Sequence, residues 1–183
     1  MAAQPPSGVV DARQPFEPGA DPSDPSQRQG IGSPDEPIQI TLDVSGATID
    51  CFEVCESDSD PLLGGNSIAT FNEGPGNTYW ITLHHAIAPM SWTTIRYNND
   101  AFVEYLAHPA NVNVDAFSNA NDVLALIDIL NGAWDPEYGD YSTDIDHSGL
   151  VNANDVLRLI DLLNGAASFE PYNGLESPDN TCP

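Results

Sequence analysis

The spacing of apolar and polar positions changes once along the chain, near residue 109. Before that point, short runs alternate with period two, the repeat of a half-buried strand. In "PIQITLDV" (37 to 44), Ile38, Ile40, Leu42 and Val44 fall on one face. In "TYWITLHHAI" (78 to 87), Tyr79, Ile81 and Leu83 do the same. Further β-leaning runs are "GVVDARQPF" (8 to 16), "TIDCFEV" (48 to 54), "SIATF" (67 to 71), "SWTTIRY" (91 to 97) and "AFVEYLA" (101 to 107). Asn98-Asn99-Asp100 predicts a hairpin turn between the last two. After Pro109 the period becomes about 3.6, the repeat of an amphipathic helix.

These runs make seven strands in about 100 residues, the number expected of an immunoglobulin- or fibronectin-like β-sandwich. The first is separated from the rest by "EPGADPSDPSQRQGIGSPDE" (17 to 36), which has no apolar period and reads as an extended linker. Such a tether spans more than one small domain at about 3.3 Å per residue. Residues 8 to 16 therefore have two readings: return to their own sandwich, or addition to the sheet edge of a neighbouring subunit.

The helical half is an internal repeat. "NANDVLALIDILNGA" (119 to 133) and "NANDVLRLIDLLNGA" (152 to 166) agree at 13 of 15 positions. Val123, Ile127 and Leu130 predict one buried face, and Val156, Ile160 and Leu163 the same face in the second copy. Asn131-Gly132 and Asn164-Gly165 supply residues that tolerate a left-handed helix end. A pair of helices of this size has a small core and needs a further stabiliser.

That stabiliser is suggested by "DIDHSGLVNAND" (144 to 155). A calcium ion takes six to eight oxygens, and a twelve-residue loop supplies them from positions 1, 3, 5, 7, 9 and 12, with a sharp turn at 6. Asp144, Asp146 and Ser148 occupy positions 1, 3 and 5; Gly149 makes the turn; Leu150 offers its carbonyl; Asn152 stands at 9 and Asp155 at 12. An N-terminal capping box accounts for Asn152 and Asp155 alone, but leaves the 1-3-5 alternation and the glycine unexplained. In the upstream loop, Asn111, Asn113, Asp115, Phe117 (carbonyl), Asn119 and Asp122 take the same positions. Position 6 there is Ala116, and only two carboxylates are present against three, so weaker calcium binding is expected.

Paired loops of this kind, each followed by a helix, resemble a dockerin module over about residues 109 to 168. The resemblance implies two structural calcium ions, an all-α unit, and docking onto a β-sandwich partner of the cohesin type. The residues before each closing aspartate are Ala120-Asn121 and Ala153-Asn154, not the Ser-Thr common in cellulosomal members. Cellulosomal recognition is therefore not implied. The setting looks more like secreted bacterial cell-surface proteins. The expected fold class is thus multi-domain β plus α: a strand segment (1 to 16), a linker (17 to 36), a seven-stranded β-sandwich (37 to 108), an all-α dockerin-like domain (109 to 168) and a tail (169 to 183).

Charge narrows the partners. The chain carries 28 acidic residues against four arginines and has no lysine, for a net charge of −24. A phosphate backbone demands a basic face, so nucleic acid is excluded, and anionic membrane surfaces are disfavoured. No apolar run reaches the length of a membrane span. The opening residues lack the basic start and apolar run of a signal peptide, so the chain reads as cytosolic or as a mature form. Weak oxygen sites fill at the calcium levels found outside cells, which favours an extracellular location. Cys182 is able to reach Cys51, Cys55 or another chain, and the odd number of cysteines leaves at least one thiol unpaired.

No nucleophile elbow or phosphate-binding glycine loop occurs, and adjacent His84 and His85 on a strand face opposite sides. His147, at a non-ligand position, is expected to face water. The chain is read as non-catalytic. Two roles are expected: a calcium-stabilised structural subunit that assembles head to tail with copies of itself, or an adaptor. In the adaptor, the sandwich binds glycan or protein, with Trp80, Trp92, Tyr97 and Tyr105 as candidate stacking rings, and the repeat anchors to a cohesin-like partner.

Overall fold

The computed structural model describes residues 2–21, 23–57, 66–99, 101–166 and 171–182. Eight strands form two four-stranded sheets. They are β1 (Ala2–Gln4), β2 (Val9–Asp11), β3 (Ile38–Thr41), β4 (Phe52–Glu56), β5 (Ile68–Gly74), β6 (Thr78–Leu83), β7 (Ser91–Tyr97) and β8 (Ala101–Ala107). One sheet runs β1-β3-β6-β5 and the other β2-β8-β7-β4. Pairings are antiparallel except β2 with β8, where Val9, Val10 and Asp11 lie beside Tyr105, Leu106 and Ala107. Among the described residues the α-helices are α1 (Ala120–Leu130), α2 (Asp140–Thr143) and α3 (Ala153–Asn164).

The period-two faces become the main core. Ile38, Ile40, Tyr79, Ile81 and Leu83 from one sheet meet Ile95, Val103 and Tyr105 from the other, all nearly inaccessible. The three-residue turn between β7 and β8 has Asn98 and Asn99 at the left-handed φ values of +50° and +63°; Asp100 lies outside the described residues. β1 and the short α2 are additions to the sequence reading.

The expected seven-stranded immunoglobulin- or fibronectin-like sandwich with a separate all-α dockerin-like domain is not what the chain forms. The described residues form a mostly β structure, with eight strands in two sheets and three short α-helices. The helical part has no core of its own: Leu126, Ile145, Leu159, Leu162 and Leu163 pack with Ala12 and Phe16 from the N-terminal segment and with Tyr172 from the tail. The reason is the size anticipated from the repeat. Two helices of 11 and 12 residues cannot close an apolar centre alone, so distant segments complete it.

Residues 12 to 16 run between sandwich and helices. Ala12 N–H donates to Tyr141 O (2.8 Å), Gln14 N–H to Ile145 O (2.9 Å), and Ala12 O accepts from Ala110 N–H (2.8 Å). Residues 17 to 36 are not an extended tether. They fold back, with Gln29 N–H donating to Pro15 O, and insert fully buried Ile31 into the sandwich core. Gly32, at φ +87°, lets the backbone pass so near Leu83 that a Cβ would lie 2.8 Å from its Cδ1. With the loop folded back, residues 9 to 11 pair with β8 of their own chain.

A buried ion network fastens the same junction. Arg13 donates to both oxygens of Asp11 (2.8 and 2.9 Å) and of Glu36 (2.6 and 2.6 Å), and its guanidinium lies 4.6 Å from the Tyr141 ring centroid. Burial pushes the Glu36 carboxyl up, but contacts with His147 and Arg13 outweigh that and hold it at about 2.

Candidate metal centre

The two oxygen loops share one backbone shape. Position 4 is left-handed in both, with Val114 and His147 each at φ +58°. Position 6 matches as well, Ala116 at +77° and Gly149 at +78°. The alanine therefore adopts the strained conformation that glycine takes freely in the second copy.

In the second loop, one carboxylate oxygen from each of Asp144, Asp146 and Asp155 lies within 4.8 Å of the other two. Backbone donors hold these groups: Ser148 and Gly149 N–H give to Asp144 (2.9 and 2.8 Å), Ser148 N–H also to Asp146 (3.1 Å), and Asn152 N–H to Asp155 (2.7 Å). Leu150 O accepts from Ser148 Oγ and from Asn152 Nδ2. The structure thus brings the three carboxylates together, with Ser148, Leu150 and Asn152 beside them. Both capping boxes also form, Asn119 with Asp122 and Asn152 with Asp155. Cap and loop are not exclusive, because the aspartate at position 12 opens the helix and faces the loop.

In the first loop, Asp122 is fully buried and accepts from Asn113 N–H (3.1 Å) and Asn119 N–H (2.8 Å). Asp115 accepts from Asn113 Nδ2 and from Phe117 N–H. Asn111 is fully buried, and its Oδ1 has no hydrogen-bond partner. An inward amide oxygen left unsatisfied is costly in a dry site and is the donor type a hard cation takes. Burial raises the Asp122 carboxyl to about 6, with Asp115 adding to the shift, and also raises Asp155 beside Asp146 and Asp144. A divalent cation offsets such a penalty by favouring the charged form. Among the described residues the three-carboxylate cluster forms in the second loop, while the first offers two carboxylates and the buried Asn111 Oδ1, donor types suited to a hard cation.

The position-12 aspartates also set how each helix is turned. With Asp122 inward, Leu126 follows one turn later and is fully buried; with Asp155 inward, Leu159 and Leu162 follow. Of the expected inner face, Val123 packs half-buried against the core, while Ile127 and Leu130 are turned outward, 38% and 39% exposed. Leu124 and Leu157 are 60% and 62% exposed and Ile160 is 38% exposed, but Leu163, the counterpart of Leu130, is buried as expected. Ile127, Leu130, Asn131, Ala153, Val156 and Leu157 line an apolar groove of about 430 Å³ between α1 and α3.

Each loop is braced by a different distant segment. His147 does not face water: its Nε2 lies 3.0 Å from Gln14 O, and its Nδ1 3.7 Å from Glu36 Oε1. The first loop is braced by the tail instead. Ser118 N–H donates to Leu175 O, Gly174 N–H to Ser118 O, and Ser177 N–H to Ala116 O. Beneath it, His108 Nδ1 lies 3.0 Å from Asn111 Nδ2 and 2.8 Å from Ser177 Oγ. Burial lowers this imidazole to about 4, so it is neutral. The sequence carried no sign of these partners, since all of them are distant in the chain or lie outside any periodic run.

Cys55 and Cys182 form a disulfide, leaving Cys51 as a free thiol. His84 and His85 lie in the bend beyond the end of β6, with ring centroids 6.5 Å apart. The candidate stacking rings are engaged: Tyr105 is buried with its hydroxyl on Pro5 O, Trp92 Nε1–H donates to Pro178 O, Tyr97 packs on Phe52, and Trp80 covers Gly74.

Comparisons with protein-family models, with curated proteins and with solved structures give no significant match. No described helix is long and apolar enough to cross a membrane.

Proposed function

We propose that this chain is a calcium-stabilised, non-catalytic assembly protein of the extracellular space, a building block whose shape depends on two bound calcium ions. The observation that carries this reading is the convergence of Asp144, Asp146 and Asp155 in a loop of calcium-ligand spacing. Three like-charged groups so close repel one another, and a cation is the economical way to hold them. The Cys55–Cys182 disulfide supports an oxidising compartment, and calcium there is abundant enough for sites of few charges.

The assembly contact favoured by the geometry is the outward face of α1 and α3, where Leu124, Ile127, Leu130, Leu157 and Ile160 stand exposed. A contiguous apolar patch of this kind marks an interaction surface. Two partners fit it: another copy of the chain, as in a fibre or surface layer, or a cohesin-like protein for which the repeat is an anchor. Strand exchange through residues 8 to 16 is the less favoured contact, because β2 is already paired to β8.

The test is thermal melting of the full chain with calcium and with chelator, followed by sizing of the calcium-loaded protein. Calcium at a hundred times its Kd stabilises by about 2.7 kcal/mol per site. An unchanged melting temperature refutes the metal reading. Calcium-dependent oligomers that disappear in Leu124→Ser/Leu157→Ser support self-assembly. A monomer that binds a cohesin-type domain through the same leucines supports the anchor.

A further inference from the structure

We propose that the C-terminal tail is a disulfide-anchored strap that holds the first oxygen loop in its ion-accepting shape, so that the Cys55–Cys182 bond tunes calcium affinity at that loop and not at the second. The proposal rests on the calcium reading above and deepens it.

Three observations converge. The first is covalent: Cys182 is bonded to Cys55 on β4, across 127 residues of sequence, so the far end of the tail cannot leave the sandwich. Trp92 Nε1–H to Pro178 O (2.9 Å) and Thr181 Oγ to Ser57 O (3.0 Å) pin the stretch before it.

The second is the path of the tail. Gly174, Leu175 and Ser177 exchange backbone hydrogen bonds with Ala116 and Ser118, and Phe117 pairs with Glu176 as an antiparallel bridge. The residues clasped are positions 6 to 8 of the loop: strained Ala116, the Phe117 carbonyl expected to face the ion, and Ser118. In the second loop, glycine at position 6 removes the need for such a clasp.

The third is the buried polar relay. Asn111 Nδ2 lies 3.0 Å from His108 Nδ1, which Ser177 Oγ also approaches at 2.8 Å. With Nδ1 as the acceptor, the amide turns its nitrogen to the ring and leaves Oδ1, buried and unpartnered, at position 1. His108 and Ser177 are therefore positioning residues acting through Asn111, as outer partners of metal ligands commonly do. The second loop contacts neither; its brace is Gln14.

The experiment is calcium titration calorimetry on the full chain, with calcium as the only added ligand. Asp155→Asn isolates the first loop and Asp122→Asn isolates the second. Cutting the strap with Cys55→Ser/Cys182→Ser is expected to weaken the first loop by about 10- to 100-fold, the usual effect of losing outer-sphere support, with the second loop unchanged. His108→Ala, which keeps the disulfide, weakens the first loop alone, and His108→Gln, whose amide oxygen still accepts from Asn111, restores it. In hydrogen exchange without metal, the Ser118 and Ser177 amides lose protection in the strap variant. First-loop affinity unchanged by either the strap variant or His108→Ala overturns the proposal, as does equal weakening of both loops. If the unaltered protein takes up no calcium at either loop, the metal reading falls and the proposal falls with it. That outcome is distinct from calcium uptake that ignores the strap.

Discussion

Position 6 of the two loops offers an internal control, because the same backbone angle is occupied by glycine in one copy and alanine in the other. Gly149→Ala places a methyl group where no heavy atom lies within 4 Å, so the cost is conformational alone. Forcing an L-residue to the left-handed region costs about 1–2 kcal/mol. Loss of glycine's freedom in the unfolded chain returns about 0.4–1 kcal/mol. The net expectation is a loss of about 1 kcal/mol, or a fall of about 2–4 °C in a domain of this length. Ala116→Gly reverses both terms and should gain about 1 kcal/mol. The assay is urea unfolding with saturating calcium and again with chelator, comparing midpoints at constant slope. Both shifts should persist in chelator, since the strain lies in the backbone. A neutral Gly149→Ala, or a destabilising Ala116→Gly, refutes the claim that the two loops share this geometry.

Three other outcomes follow from the structure. Leu159→Ala empties a fully buried position and should cost about 2.7–5 kcal/mol by denaturant unfolding, whereas Leu157→Ala, 62% exposed, should leave stability nearly unchanged. Glu36→Gln removes a charged partner of buried Arg13 and should cost about 1.5–3 kcal/mol at neutral pH; because the folded carboxyl lies near 2 against an ordinary 4.5, the native contribution is present above pH 4.5 and fades as pH falls toward 2. Asp122 has the opposite sign. Its carboxyl is raised to about 6 by burial, so in chelator its contribution is full below about pH 4 and lost as pH rises through 6; urea midpoints of Asp122→Asn should lack that slope, and calcium should suppress it in the unaltered protein.

The strands were legible because period two survives wherever one face of a sheet is buried: each of the seven expected runs overlaps an observed strand. β1 escaped because three residues carry no period. Residues 17 to 36 misled through composition. Pro, Gly, Ser and Asp signal turns, and turns suit a loop that folds back as well as one that extends; Ile31 was the lone apolar hint. The shared backbone shape of the two loops and the convergence of Asp144, Asp146 and Asp155 were legible since those residues are local in sequence. The rotation of the helices was not. Val123, Leu124, Leu126, Ile127, Ile129 and Leu130 supply apolar groups on several sides of α1, so periodicity alone leaves the buried side undecided. The tie is broken by Asp122, whose carboxylate must enter the loop. Separation into domains failed for a related reason: a pattern shows which residues need burial, but not which distant residue covers them.

The N-terminal segment has a consequence for biosynthesis. Val9 to Asp11 pair with Tyr105 to Ala107, and Ala12 and Gln14 bond to Tyr141 and Ile145. These residues thus wait for partners made roughly 90 to 130 positions later. The junction between sandwich and helices therefore closes only after residue 145 has been made, and its long-range pairing is a slow step of folding.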